Sequence, residues 1–99
     1  MKILTTKNNK VCTLAVEGKI DTATAPALEK AVNANLPDCD KMVFDLSRVD
    51  YISSAGLRVL VYAQRELLNN GEVVLKGISS EIAGVIKMTG LNALLKIEK

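Results

Sequence analysis

Two adjacent hydroxyls, Ser53 and Ser54, stand between an apolar run and a long helical pattern in Tyr51-Ile-Ser-Ser-Ala-Gly-Leu57. Hydroxyls at such a junction can accept a phosphoryl group or cap the helix that follows. Behind Ser54, residues Leu57, Leu60, Val61, Gln64, Leu67 and Leu68 recur at helical spacing and define one mostly buried face, so Ser54 is the expected N-cap. Capping is the ordinary role of a serine at this place and contributes about 1 kcal/mol. A phosphate there would face the unpaired backbone N–H groups of the first turn, at the positive end of the helix dipole. The junction is therefore suited to act as a charge switch.

Other chemistry finds less support. The chain has no His, so the commonest general base near neutrality is absent. Neither serine lies in a Gly-x-Ser-x-Gly elbow or a Ser-x-x-Lys pair. With two distant Cys and no His, zinc would need an all-carboxylate set. Asp21, Asp45 and Asp50 could meet a hard cation, but they read better as solvated loop carboxylates. Gly56 stands near the serines as glycines do in phosphate-binding loops, yet the lysine-bearing P-loop pattern is missing. The sequence thus points to a binding protein without enzymatic activity, metal or cofactor.

Composition narrows the class further. With 99 residues, 48% of them apolar, the chain suits one domain over 1–99, able to bury about two thirds of its unfolded surface. No Trp and one Phe leave no stacking platform for bases, and the net charge of +2 comes from scattered lysines, so nucleic acid is not an expected partner. No apolar run is long enough to insert in a membrane and the start lacks a signal-peptide pattern, so a cytoplasmic location is expected. Cys12 and Cys39 are expected to stay reduced.

The elements that must position the serines follow from periodicity. Ile3-Leu4 and Val11–Val16, joined across Lys7–Lys10, predict an antiparallel hairpin. A helix over about 24–35 carries Ala27, Leu28, Ala31 and Val32 on one stripe, with Pro26 in its first turn. Met42–Leu46 predicts a central strand pointing at the serine loop, and the helix from Ser54 should end near Asn69-Asn-Gly71, with Gly71 as the left-handed residue. A strand over 72–78 follows, then a helix capped by Ser79 or Ser80 with Ile82, Val85 and Ile86 inward, a stop at Gly90 and a last strand over 94–97. The expected fold is α/β, in the order β-β-α-β-α-β-α-β, with one mixed, mostly parallel sheet packed against helices.

The segment Phe44-Asp-Leu-Ser-Arg-Val-Asp-Tyr-Ile-Ser-Ser-Ala-Gly-Leu-Arg-Val-Leu60 resembles the signature of STAS domains, specifically bacterial anti-sigma factor antagonists. Val16-Glu-Gly-Lys-Ile-Asp21 is similar to the family's Gly-x-Leu/Ile-Asp segment, and Met88-Thr-Gly-Leu91 to its closing turn. The resemblance implies the same fold, often with a further C-terminal helix. It also implies a switch in which the unphosphorylated protein binds an anti-sigma factor that is itself a serine kinase of the histidine-kinase-like ATPase family, releasing a sigma factor. Ser54 aligns with the serine that this kinase phosphorylates, and a PP2C-type phosphatase resets it. Ser53 falls where several members carry Asp, which leaves it as the alternative acceptor. Asp21, Tyr51, Ser53, Ser54, Gly56, Arg58 and Tyr62 are the expected partner-contact residues, with a loop over 47–53 as part of the surface. A structural adaptor role, in a stressosome-like complex or a lipid-transport ABC assembly, is the alternative.

Overall fold

The computed structural model describes residues 1–67 and 71–98. Asn9 and Lys10 take positive φ of 51° and 67°, and they join β1 (Lys2–Asn8) to β2 (Val11–Ile20) as a tight antiparallel hairpin. Two consecutive left-handed residues match the twist of the strands they connect. The chain then alternates through α1 (Ala25–Asn35), β3 (Lys41–Ile52), α2 (Ser54–Leu67), β4 (Glu72–Lys76), α3 (Ser80–Met88) and β5 (Lys96–Glu98). The strands lie side by side in sequence order, antiparallel at the first pair and parallel at the other three. The expected element order and mixed sheet are those found.

Alternation along the strands sends one set of side chains into a single core. Cys12, Leu14 and Val16 of β2, Met42, Phe44 and Leu46 of β3, and Val73 and Leu75 of β4 meet Leu28, Val32, Leu57, Leu60, Ile82 and Ile86 from the helices. The intervening Thr13, Ala15, Val43 and Asp45 are half-buried, as residues of the opposite face of the sheet. Cys12 and Cys39 are free thiols in this core. Burial, and then the adjoining Cys12 thiol, push the Cys39 thiol up to about 12, which makes it a poor nucleophile.

Several local expectations shift. β3 does not stop at Leu46 but runs to Ile52, because its second half continues to pair with β2 past irregularities between Ala15 and Glu17 and between Gly18 and Lys19. The stretch over 47–52 is therefore strand, not loop. Ala27 is exposed, and the inward residues of α1 are Ala25, Leu28 and Val32. In α2, Val59 and Ala63 are buried beside Leu57, Leu60 and Leu67, whereas Val61 and Gln64 are only half-buried. Gln64 instead accepts the Val73 N–H at 3.2 Å and ties the helix to β4. Val85 is exposed, β4 ends at Lys76 before Gly77 at φ 69°, and β5 begins only at Lys96 after a 3-10 turn over Leu91–Ala93. Ser79 is the cap of α3, accepting the Ile82 N–H at 3.2 Å. No helix among the described residues is long and apolar enough to cross a membrane.

The expected end of the second long helix falls largely on 68–70, outside the described residues. Gly71 itself has a different demand placed on it. A Cβ there would lie 1.7 Å from the Asp40 carbonyl oxygen, the same oxygen that accepts the Glu72 N–H at 3.0 Å. Close backbone approach at the start of β4 thus requires glycine. Gly71→Ala is expected to destabilise by about 1–3 kcal/mol through overpacking. Gly84→Ala, on α3 where an added Cβ meets nothing within 4 Å, is expected to stabilise by about 0.5–1 kcal/mol. Urea unfolding of both variants checks the opposite signs.

Candidate functional site

Parallel pairing sets the ends of β2 and β3 together, with Ile20 opposite Ile52. Each strand turns there toward a helix, one through Asp21 and the other through Ser53. The Ser53 N–H donates to the Ile20 carbonyl at 2.8 Å, so the second turn is fastened to the first strand. Its own carbonyl accepts the Leu57 N–H at 3.0 Å, and its hydroxyl accepts the Gly56 N–H at 3.4 Å. Those are the bonds of an N-cap. The cap is Ser53, not Ser54 as the periodicity suggests, because β3 stays extended through Ile52 and delivers the half-helical position to the next residue. Ser54 becomes the first helical residue, exposed, and its hydroxyl makes no hydrogen bond among the described residues.

Gly56 supplies the fit between helix and sheet. It is buried, and a Cβ would stand 2.6 Å from Ile20 Cγ2 and 2.7 Å from Ile52 Cγ1. Its place in the corner is therefore one of packing, with no surface to offer a partner.

Asp21 lies beside this junction with its carboxylate turned onto its own chain. Oδ1 accepts the backbone N–H of Ala23 and of Thr24, each at 3.0 Å. Thr24 Oγ1 in return accepts the Asp21 N–H at 2.8 Å and donates to the Lys19 carbonyl at 2.9 Å. The Thr24 N–H foremost holds the Asp21 carboxyl below its ordinary range; burial opposes it, and the Ala23 N–H, the Thr24 hydroxyl and the Lys19 charge add to the lowering. Asp21 thus shapes the entry to α1, and Thr24 is its clasp.

Arg58 is exposed one turn after Ser54. It stands on one wall of a shallow depression of about 210 Å³ with Ala55, opposite Thr22, Pro26 and Glu29 from the α1 side. Tyr62, another turn along, is half-buried, and its hydroxyl donates to Asn33 Oδ1, which ties α2 to α1. Tyr51 is 49% exposed on β3, opposite Lys19. The structure brings Asp21, Ser53, Ser54, Gly56 and Arg58 to one corner and places Tyr51 just before it. Thr24 was legible in sequence as Asp-x-x-Thr spacing before a helix. Pro26, Glu29 and Ala55 carried no such signal, since the depression exists only where α1 and α2 pack together.

Comparison with known proteins adds the family context. The STAS domain family model matches residues 2–99. An anti-sigma-B factor antagonist of Staphylococcus aureus is 29% identical over 101 residues, spanning 100% of this chain and 94% of that protein. The crystal structure of an anti-sigma factor antagonist from Mycobacterium paratuberculosis superposes with a TM-score of 0.89 at 30% identity, over 97% of this chain and 83% of that one. The Bacillus cell fate determinant SpoIIAA in its phosphorylated form shares the fold at 14% identity, with a TM-score of 0.78 over 99% and 92% of the two chains.

Two expectations follow from the geometry. Ser53→Ala should cost about 0.5–1 kcal/mol, the low end for a cap whose hydrogen bond is long, while Ser54→Ala should change stability by less than about 0.5 kcal/mol. Thermal melts of the two variants check this order. Asp21 has a folded-state pKa below its ordinary value of 3.8, so its stabilisation is present above that value and is lost as pH falls through the lower one. Asp45, held down chiefly by Ser47, acts in the same direction. Asp21→Asn keeps the acceptor oxygen and cannot titrate, so melts across the acid range should show a shallower, not abolished, loss of stability.

Proposed function

This chain belongs to the STAS domain family, and we propose that it is an anti-sigma factor antagonist whose binding is switched by phosphorylation of Ser54. The observation that carries the reading is the division of labour between the two hydroxyls: Ser53 is engaged as cap, and Ser54 is exposed on the first turn of α2. The anti-sigma-B factor antagonist of Staphylococcus aureus matches along the whole chain, which supports the same role here. The partner is a serine kinase that is itself the anti-sigma factor. A PP2C-type phosphatase restores the binding form. Both activities belong to the partners, and the chain itself acts by stoichiometric binding.

The physics of the switch follows from charge and place. In the transfer, the Ser54 oxygen bonds to the γ-phosphorus of ATP as the bond to ADP breaks, and the hydroxyl proton passes to a base of the kinase. Phosphoserine adds about −1.5 to −2 charges at neutral pH. The first-turn N–H groups accept that anion without disturbing the helix, since they lie at the positive end of its dipole. Arg58, one turn on, is the cation of this chain nearest in sequence to pair with it. Release of the partner therefore comes from new charge and bulk at the docking surface, with the fold intact. Tyr51, Arg58 and the walls of the α1–α2 depression extend that surface, while Gly56, Asp21 and Tyr62 hold its shape.

Incubation with the kinase partner and Mg-ATP should add one phosphate, mapped to Ser54 by intact mass and peptide analysis and absent from Ser54→Ala. In calorimetry, Ser54→Asp should bind that partner at least about tenfold more weakly, or about 1.4 kcal/mol, and Ser54→Ala should bind as wild type does. Labelling confined to Ser53, or equal affinity of all three proteins, would overturn the switch. A partner set that ignores residue 54 altogether would favour the adaptor role.

A further inference from the structure

β5 borders the sheet on the side away from β1. It pairs with β4 through Val74–Lys96, Leu75–Ile97 and Lys76–Glu98, and among the described residues nothing pairs with its outer edge. An uncovered edge is a template for another strand. Alternation puts Lys96 and Glu98 on one face and Ile97 on the other. Ile97 lies toward the helices, since its neighbour Leu75 belongs to the core. It is 37% exposed, on the wall of a depression of about 510 Å³ shared with Ile78 and Ala83. Leu94, just before the strand, is 55% exposed.

The charge pattern of this edge selects its partner. Read antiparallel against itself about Ile97, Lys-Ile-Glu is self-complementary: lysine meets glutamate on both sides, and isoleucine meets isoleucine. The opposite edge lacks this property. β1 carries Lys2 and Lys7 and no acid, so no self-pairing register of it gains an ion pair. The contact that Lys96 makes within its own chain, with Glu72 at 3.9 Å, is long and exposed and is exchanged at little cost.

We propose that β5 is a homodimerisation edge, at which two copies pair antiparallel about a two-fold axis through Ile97 and merge their five-stranded sheets into one. The ion pairs fix the register, and the two Ile97 side chains, with Leu94 nearby, close the seam on the helical side. Three residues make a small edge, so the association is weak and concentration-dependent. The serine corner, on β3 and α2, takes no part in it.

Sedimentation velocity across a concentration series tests the idea, with circular dichroism melts to show that each variant is folded. The wild-type sedimentation coefficient should rise with concentration. Lys96→Glu and Glu98→Lys should each lose that rise, because like charges then oppose one another at the seam. The double variant Lys96→Glu/Glu98→Lys should regain it, and an equimolar mixture of the two single variants should associate although neither does alone. A wild type that stays monomeric throughout, or a dimer indifferent to these reversals, would overturn the proposal.

Discussion

The close approach of α2 to the ends of β2 and β3 is the constraint on which the site depends. Gly56 lets the helix come so near that any side chain there would collide with Ile20 and Ile52. Both isoleucines are core residues, and they face one another across the parallel pair. The first turn of α2 is thereby held against the sheet end. Its exposed side, which carries Ser54 and Arg58, is presented on a rigid support.

The same corner shows how two neighbouring serines acquire different tasks. Backbone geometry alone separates them. Ser53 is bonded through its N–H to Ile20 and through its carbonyl and hydroxyl to the first helical turn, so three of its polar groups are occupied. Ser54 follows as the first helical residue, exposed and with no hydrogen bond from its hydroxyl among the described residues. Asp21 completes the arrangement from the other strand. Its reciprocal bonds with Thr24 stiffen the turn into α1, and α1 in turn supplies Pro26 and Glu29 to the depression beside Arg58.

The architecture also explains how an aromatic-poor chain sustains this support. A single Phe, Phe44, sits fully buried in the central strand, and the core around it is built from branched aliphatic residues. Sequential strand order places each helix between parallel neighbours, so the helices' apolar stripes cover one face of the sheet. Backbone crowding is relieved by glycine where the sheet needs it, at Gly71 against Asp40 and at Gly77 against Ser47.

Much of this was legible in the chain without coordinates. Apolar periodicity and turn residues gave the element order, the mixed sheet and a hairpin across 7–10, because amphipathic patterns of period two and about 3.6 are written locally along the chain. The motif at 51–57 marked the junction of β3 and α2 at which the candidate site lies. What remained hidden depended on contacts between distant segments. The extension of β3 to Ile52 rests on its pairing with β2, which no local propensity reports, and that extension moved the cap from Ser54 to Ser53. Val59 and Ala63 join the expected Leu57, Leu60 and Leu67 on the buried side of α2, where Gly56 lets the helix lie close against the sheet. Tyr62 looked like open surface in sequence and became a tie to Asn33 once α1 packed alongside. Local order was written along the chain, whereas each side chain's task was assigned by neighbours that only the packed sheet and helices brought within reach.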